Sequence, residues 1–175
     1  TAGLKATRHS FIQKGVDWLK EHQEEDGSWF GRWGVCYIYG TWAALTGLIA
    51  VGIQPSEPYV RKAVNWLLDM QNTDGGWGES CAADRMKRYV PLGASTVSQT
   101  AWALDALIAA HDSPVPAIDK GIRELLTQLQ QTDWTTSYPT GAGLPGTFYA
   151  RYHSYNYIWP LLTLSHYRRK YAPAA

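Results

Sequence analysis

A chain of 175 residues with 45% hydrophobic content suffices for one domain with a core of its own. The net charge of +1, from 16 basic and 15 acidic side chains, gives no general attraction for nucleic acid. Two cysteines, Cys36 and Cys81, provide neither a disulfide framework nor zinc spacing, so a reducing compartment is the expectation.

Residues 9–22 read as the first helix, with Ile12, Val16 and Leu19 on one face and Phe11 and Trp18 widening it. Asp26 and Gly27 end that segment in a turn, and a loop rich in Gly, Trp and Tyr follows. Residues 39–51, with Ala43, Ala44, Leu45, Leu48 and Ile49, form an apolar helix with almost no polar face, which places it inside the assembly. Ser56 is the expected N-cap of a helix running to Met70, with Glu57 and Pro58 in its first turn and Val60, Val64, Leu67 and Leu68 buried. Trp77, Glu79 and Cys81 fall in the next loop, where Glu79 is expected to hydrogen-bond nearby backbone. Ser95 or Thr96 then caps a helix carrying Trp102, Leu104, Leu107 and Ile108. Ser113 and Pro114 open another, through Ile118, Ile122, Leu125 and Leu129. Residues 132–150 read as a long loop punctuated by Gly and Pro, and residues 153–169 as the last helix, with Pro160 at a kink or in an early turn.

The fold class is all-α: six helices in three pairs, a more polar helix preceding an apolar one. Val16-Asp17-Trp18-Leu19 registers with Val64-Asn65-Trp66-Leu67, and Thr41, Leu45 and Leu48 register with Thr100, Leu104 and Leu107. Three pairs make an arc of an α/α toroid, a partial barrel whose cut edges expose apolar surface. Thr1 is no initiator and a helical pattern starts almost at once, so the chain reads as part of something longer.

Three turns punctuate the arc: QEEDGSW over Gln23–Trp29, QNTDGGW over Gln71–Trp77, and a shortened QQTDW over Gln130–Trp134. Their spacing of roughly 50 to 60 residues points to stacked helical units. Each part of the turn has a structural use. Gln23 and Gln71 bond backbone near a helix end, Asp26 and Asp74 hold the turn, Gly27 and Gly75 permit positive φ, and Trp29 and Trp77 cover the junction. Carbohydrate binding by the tryptophans is the rival reading.

The composition holds 9 Trp and 11 Tyr against 3 Phe, which suits cores, interfaces and cavity walls. No metal-ligand spacing links His9, His22, His111, His153 and His166, and no P-loop, dinucleotide fingerprint or nucleophile elbow is present. His153 is expected to be a hydrogen-bonded member of an aromatic wall with Tyr149, Tyr152 and Tyr155. Glu24 and Glu25 have no counterparts in the second turn and read as exposed charge. The basic runs 85–88 and 168–170 read as solvated edges, with a phosphate or lipid-headgroup contact the lesser reading. No stretch reads as a signal peptide or membrane span, and a monotopic contact through an apolar patch stays open.

The richest constellation is Leu144, Phe148, Tyr149, Tyr152 and Tyr155, followed by Tyr157 and Trp159. If the segment is helical from Phe148, then Phe148, Tyr152 and Tyr155 share one face. Aromatic faces stabilise a moving carbocation without supplying a nucleophile. A packed aromatic core is the other reading, and the residues alone leave both open.

The segments 23–42, 71–81, 94–104 and 141–155 closely resemble the C-terminal part of squalene–hopene cyclases and related class II triterpene cyclases, with the turns resembling that family's QW repeats. The resemblance spans residues 1–175, as the C-terminal part of an α/α-barrel domain. It implies a monotopic enzyme on the cytoplasmic side of the membrane, with a hydrophobic polyprene as substrate and no cofactor or metal. A homodimer is compatible with it. An Asp-rich DxDD motif protonates the terminal alkene in that family; no DxDD occurs in these residues, so the upstream part of the same polypeptide is expected to supply it and this chain alone to be inactive. Trp33 and Tyr39 match positions near the acid end of the cavity, the tyrosine orienting water at the aspartate. Leu144, Phe148, Tyr152 and Tyr155 match the cation-stabilising segment. Leu144 replaces the usual phenylalanine, a departure similar to the tetraprenyl-β-curcumene cyclase branch, and Cys36 replaces the asparagine common in hopene-forming members, similar to the GVC variant of other branches. Similar toroids occur in protein prenyltransferase β subunits, whose zinc set of Asp, Cys and His is absent here. A non-catalytic helical-repeat binding domain remains the rival from another class.

Overall fold

The computed structural model describes residues 5, 8–143 and 147–172; Leu144 lies outside them. Seven α-helices are present among these residues: α1 (Ser10–Glu21), α2 (Cys36–Ala50), α3 (Pro58–Asp69), α4 (Ala82–Met86), α5 (Val97–Ala110), α6 (Pro116–Gln128) and α7 (Tyr155–Tyr171). A 3-10 helix, Trp134–Ser137, and a two-stranded antiparallel ribbon of β1 (Gly141–Gly143) and β2 (Phe148–Ala150) precede α7.

The expected alternation of polar and apolar helices holds for the first two pairs. α1, α3 and α6 each bury only one stripe, such as Val60, Ala63, Trp66 and Leu67 in α3. α5 is buried at every position except Ala109 and lies between α2 and α7, with α3 and α6 also packed on it. α7 departs from the pattern: only Pro160 and Thr163 are buried, and Leu161 is 72% exposed.

Helix starts differ from expectation for local reasons. Neither Ser56 nor Ser113 caps a helix; Glu57 and Val115 are the N-caps, both extended, because Pro58 and Pro116 fit the first helical turn and hold the preceding residue out of it. Thr96 is the N-cap of α5, but its hydroxyl donates to Gln99 Oε1 instead of receiving a backbone N–H. α2 begins at Cys36, earlier than its apolar run, because a distant acid receives its first N–H groups. The last helix begins at Tyr155. Phe148 lies on β2 and Tyr152 precedes α7, so the helical face expected to unite Phe148, Tyr152 and Tyr155 does not form. The glycines Gly141 and Gly143 leave no side chain in the way, and the Tyr152 and Phe148 rings lie where their Cβ atoms would be.

Candidate functional site

One cluster of rings spans α2, α5 and α7. Tyr39 meets Trp102 edge-on at 5.1 Å between centroids and tilts against Trp42 at 5.6 Å. Trp159 meets Trp42 at 4.9 Å, and Tyr155 meets Trp102 at 5.7 Å and Trp159 at 5.6 Å. Tyr152 joins the edge of the cluster, tilted on Tyr155 at 4.8 Å. These offset and edge-on arrangements are the favoured ones for aromatic quadrupoles. The indole N–H groups of Trp102 and Trp159 are buried with no acceptor among the described residues, a cost that a purely structural core usually avoids.

Trp42 is fixed from behind. Its Nε1 donates to Asp105 Oδ2 at 2.9 Å, and His166 Nδ1 lies 2.6 Å from Asp105 Oδ1. Each of the three helices thus contributes to one network: Trp42 from α2, Asp105 from α5, His166 from α7. Burial raises the phenols of Tyr39 and Tyr155 above their ordinary range, with Tyr39 and Tyr152 adding to the effect at Tyr155. Both therefore stay protonated and neutral near pH 7.

Two of the helices carrying these rings, α2 and α5, are tied to the turns. In the first, Gln23 Nε2 donates to Gly27 O and Tyr59 O, both at 2.8 Å; in the second, Gln71 Nε2 donates to Gly75 O at 2.8 Å and Ala117 O at 2.9 Å. Asp26 Oδ1 accepts the Ser28 N–H and Asp74 Oδ1 the Gly76 N–H. The Trp29 and Trp77 amides donate to the Thr41 and Thr100 hydroxyls, tying each turn to α2 and α5 respectively. Gly27 and Gly75 stand at φ of 104° and 100°.

Glu79 completes the scaffold. It is fully buried, and its carboxylate oxygens accept the N–H groups of Cys36, Tyr37 and Ile38 at 2.9 to 3.0 Å, closing the first turn of α2. Burial nevertheless dominates, and the carboxyl is pushed up to about 7. The expectation that Glu79 bonds backbone holds, although that backbone lies more than forty residues away in sequence. Gln99 locks the acid's own backbone: its Oε1 accepts the Glu79 N–H at 3.0 Å and its Nε2 donates to Glu79 O at 3.1 Å. Burial, with Glu79 next in importance, pushes the Cys36 thiol well above its usual range, leaving it protonated.

Of the residues singled out from the sequence, Tyr39, Tyr152 and Tyr155 come together in the ring cluster. Trp33 and Phe148 do not: they are 66% and 52% exposed, and neither has a ring contact with the cluster. Trp33 instead offers its carbonyl to the Ala142 N–H at 2.9 Å, beside the ribbon. His153 is exposed and tilts against Tyr157 at 5.3 Å, away from the wall expected with Tyr149, Tyr152 and Tyr155. Sequence reasoning missed Trp42, gave Trp102 no part in the site, and left Asp105 and His166 unlinked. The usable signal was spacing: Tyr39 and Trp42 at i, i+3, and Tyr155 and Trp159 at i, i+4, each put two rings on one helix face.

A cavity of about 460 Å³ opens beside the cluster, bordered by Tyr39, Gly40 and Ala43 on one side and Trp18, Leu19 and Trp29 on the other. No helix among the described residues is long and apolar enough to cross a membrane.

Comparison with known proteins agrees on one family. Residues 2–169 match the squalene–hopene cyclase C-terminal domain. Sporulenol synthase of Bacillus subtilis is 57% identical over 160 residues, covering 91% of this chain and 25% of that protein. Squalene–hopene cyclase of Alicyclobacillus acidocaldarius is 51% identical over 159 residues, covering 90% and 25%. The chain thus spans about a quarter of the length of these relatives. In fold, ent-copalyl diphosphate synthase from Streptomyces platensis is similar, with a TM-score of 0.67 at 20% identity over 90% of this chain and 28% of that one. On these matches over nearly its whole length, the chain belongs to the squalene–hopene cyclase family.

Proposed function

We propose that the polypeptide containing this chain is a class II cyclase that protonates and cyclises a linear polyprene, squalene or tetraprenyl-β-curcumene, in a hydrophobic cavity. The observation that carries this reading is the ring cluster of Tyr39, Trp42, Trp102, Tyr155 and Trp159, built on three helices, with Asp105 bonded behind Trp42. Such a surface stabilises positive charge without trapping it covalently.

In this reading Tyr39, neutral and half-buried, orients water at the proton donor, and Trp33 stands near the same end. Phe148, Tyr152 and Tyr155 are the cation-stabilising residues, and Leu144, where a phenylalanine is usual, bears on which polyprene the cavity takes. Gln23, Asp26, Gly27, Trp29, Gln71, Asp74, Gly75 and Trp77 are structural residues that clamp neighbouring helices together. The protonating acid comes from the preceding part of the polypeptide, and the parent acts as a monotopic protein drawing its substrate from a bilayer. Leu144 in place of a phenylalanine favours tetraprenyl-β-curcumene over squalene.

The test is incubation of the complete polypeptide with each polyprene in detergent, with products resolved by mass spectrometry. Cyclised product identifies the reaction, and an alkene or alcohol defines termination as isomerase or hydro-lyase chemistry. Tyr155→Ala removes one cation-facing ring worth about 1 to 2 kcal/mol, so kcat should fall about tenfold and partly cyclised products accumulate. Turnover by residues 1–175 alone would refute the assignment of the acid to another segment. A complete polypeptide that binds but cyclises neither polyprene would favour a non-catalytic repeat domain.

A further inference from the structure

The sequences of α2 and α5 register with each other, and they part at two positions that touch in space. With Thr41, Leu45 and Leu48 aligned on Thr100, Leu104 and Leu107, Trp42 corresponds to Ala101 and Asp105 to Thr46. The shared pattern of the two helices therefore calls for neither the indole nor the acid. Yet the two meet, because Trp42 Nε1 donates to Asp105 Oδ2 at 2.9 Å. A carboxylate only accepts, so the 2.6 Å contact of Asp105 Oδ1 with His166 Nδ1 puts the imidazole proton on Nδ1. Both oxygens are thus engaged, one by α2 and the other by α7.

Stability does not account for this acid. Asp105 is the one charged residue of α5 and is 4% exposed. A buried carboxylate with its partner generally adds less to stability than apolar side chains of the same volume. Nor do nearby cations explain it. Arg169 and Lys170 border a cavity of about 460 Å³ behind Asp105, but Arg169 is exposed and Lys170 Nζ donates to the Ile108 and Ala109 carbonyls at 2.7 and 3.1 Å. What the carboxylate holds is a ring of the aromatic cluster. Trp42 is half-buried, lies 23° from the plane of Trp102 with centroids 6.0 Å apart, and meets Trp159 edge-on at 4.9 Å. A carboxylate on an indole N–H fixes the plane of the ring and pushes electron density toward its faces, and the faces are what a cation meets.

We propose that Asp105, braced by His166, is a positioning residue that orients and polarises Trp42, so that the ring cluster stabilises positive charge more strongly than unassisted rings do. The acid stands behind the ring, so it strengthens the ring's field without offering an oxygen to the cation. This deepens the reading of the cluster as a cation-stabilising wall and rests on it.

The test uses the complete polypeptide and two probes of one shape: a long-chain alkyltrimethylammonium ion, and the 2,2-dimethylalkane in which carbon replaces the nitrogen. Their affinities are compared in the unaltered protein, Asp105→Asn, Trp42→Phe and the double variant. Asp105→Asn keeps the volume and an acceptor but loses the charge. It is expected to weaken the ammonium ion about tenfold and the alkane less than about twofold. In the Trp42→Phe background the same change should move ammonium affinity by less than about twofold, because the acid no longer holds the ring. Equal losses for the two probes show a packing role alone and overturn the proposal, as does an undiminished Asp105→Asn effect in the Trp42→Phe background. If Trp42→Phe does not fold, 15N-indole NMR decides: Asp105→Asn shifts one indole N–H resonance upfield, and an unchanged indole spectrum overturns the proposal. Polyprene turnover is followed on the same preparations, where Asp105→Asn should lower kcat about tenfold with KM within about twofold. Charge-selective binding that depends on Asp105 in a protein that cyclises neither polyprene defeats the enzymatic reading alone. An active cyclase whose turnover and ammonium affinity ignore Asp105→Asn defeats this inference alone.

Discussion

The Gln71–Trp77 turn and the Gln130–Trp134 stretch start from similar residues and reach different structures. In the first, Gln71 bridges two carbonyls, Gly75 takes a positive φ, and Trp77 is fully buried with its indole on Leu67 O. In the second, Asp133 is followed directly by Trp134, with no glycine to reverse the chain. Asp133 caps a 3-10 helix by accepting the Thr135 N–H at 2.9 Å, and Trp134 is left 56% exposed. The receiving side decays as well. Glu124 stands on α6 where Trp66 stands on α3, and its carboxyl is raised by burial first and by the nearby Asp74 second. A Gln and an Asp are therefore insufficient; the glycine and the indole make the clamp.

The sharpest way to break this contrast is to remove the glycine from the intact turn. Gly75→Ala places a Cβ 2.9 Å from the Lys120 carbonyl at a φ that L-residues avoid, so the polypeptide should lose about 3 to 5 kcal/mol in urea unfolding. A second probe uses the acid two residues beyond the intact turn, which has no counterpart after Trp134. Glu79 binds its proton more tightly when folded than when unfolded, since burial lifts it from 4.5 to about 7. Its contribution is thus most favourable below about pH 4.5 and declines as pH rises through about 7, by on the order of 3 kcal/mol. Urea midpoints between pH 5 and pH 8 should show that decline, and Glu79→Gln should remove it. Gln71→Ala leaves the Gly75 and Ala117 carbonyls without the amide and should cost about 2 kcal/mol in the same measurement, against under about 0.5 kcal/mol for Gln130→Ala. Smallest of all, Trp134→Ala should shift stability by less than about 0.5 kcal/mol, because most of that ring already meets solvent. A large effect at Trp134 would mean that the third stretch is clamped by something outside these residues.

Much of the architecture was legible because it repeats. Hydrophobic periodicity located the six longer helices but not the short α4, and the registers of Val16–Leu19 with Val64–Leu67 pointed to repetition. Helix starts were misplaced where proline, not serine, sets the boundary, as at Pro58 and Pro116. The ribbon was hidden because strands of three residues, one of them Gly-Ala-Gly, are too short to show an alternation. At the candidate site, tyrosines near in sequence were easy to group, yet Phe148 lies on a strand and apart from Tyr155. Trp42, Trp102 and Asp105 were harder, since only the packing of α5 between α2 and α7 brings them together.

Glu79 carries a consequence for the order of events during synthesis. The opening amides of α2 find their acceptor on a residue that leaves the ribosome long after the helix itself, and that acceptor is in turn braced by Gln99. A nascent chain that has emerged only through α3 therefore holds an α2 whose first turn is unfinished. The helix bearing Tyr39 and Trp42 settles only when α5 arrives, so the half-made wall stays pliable until its neighbour is in place to receive it.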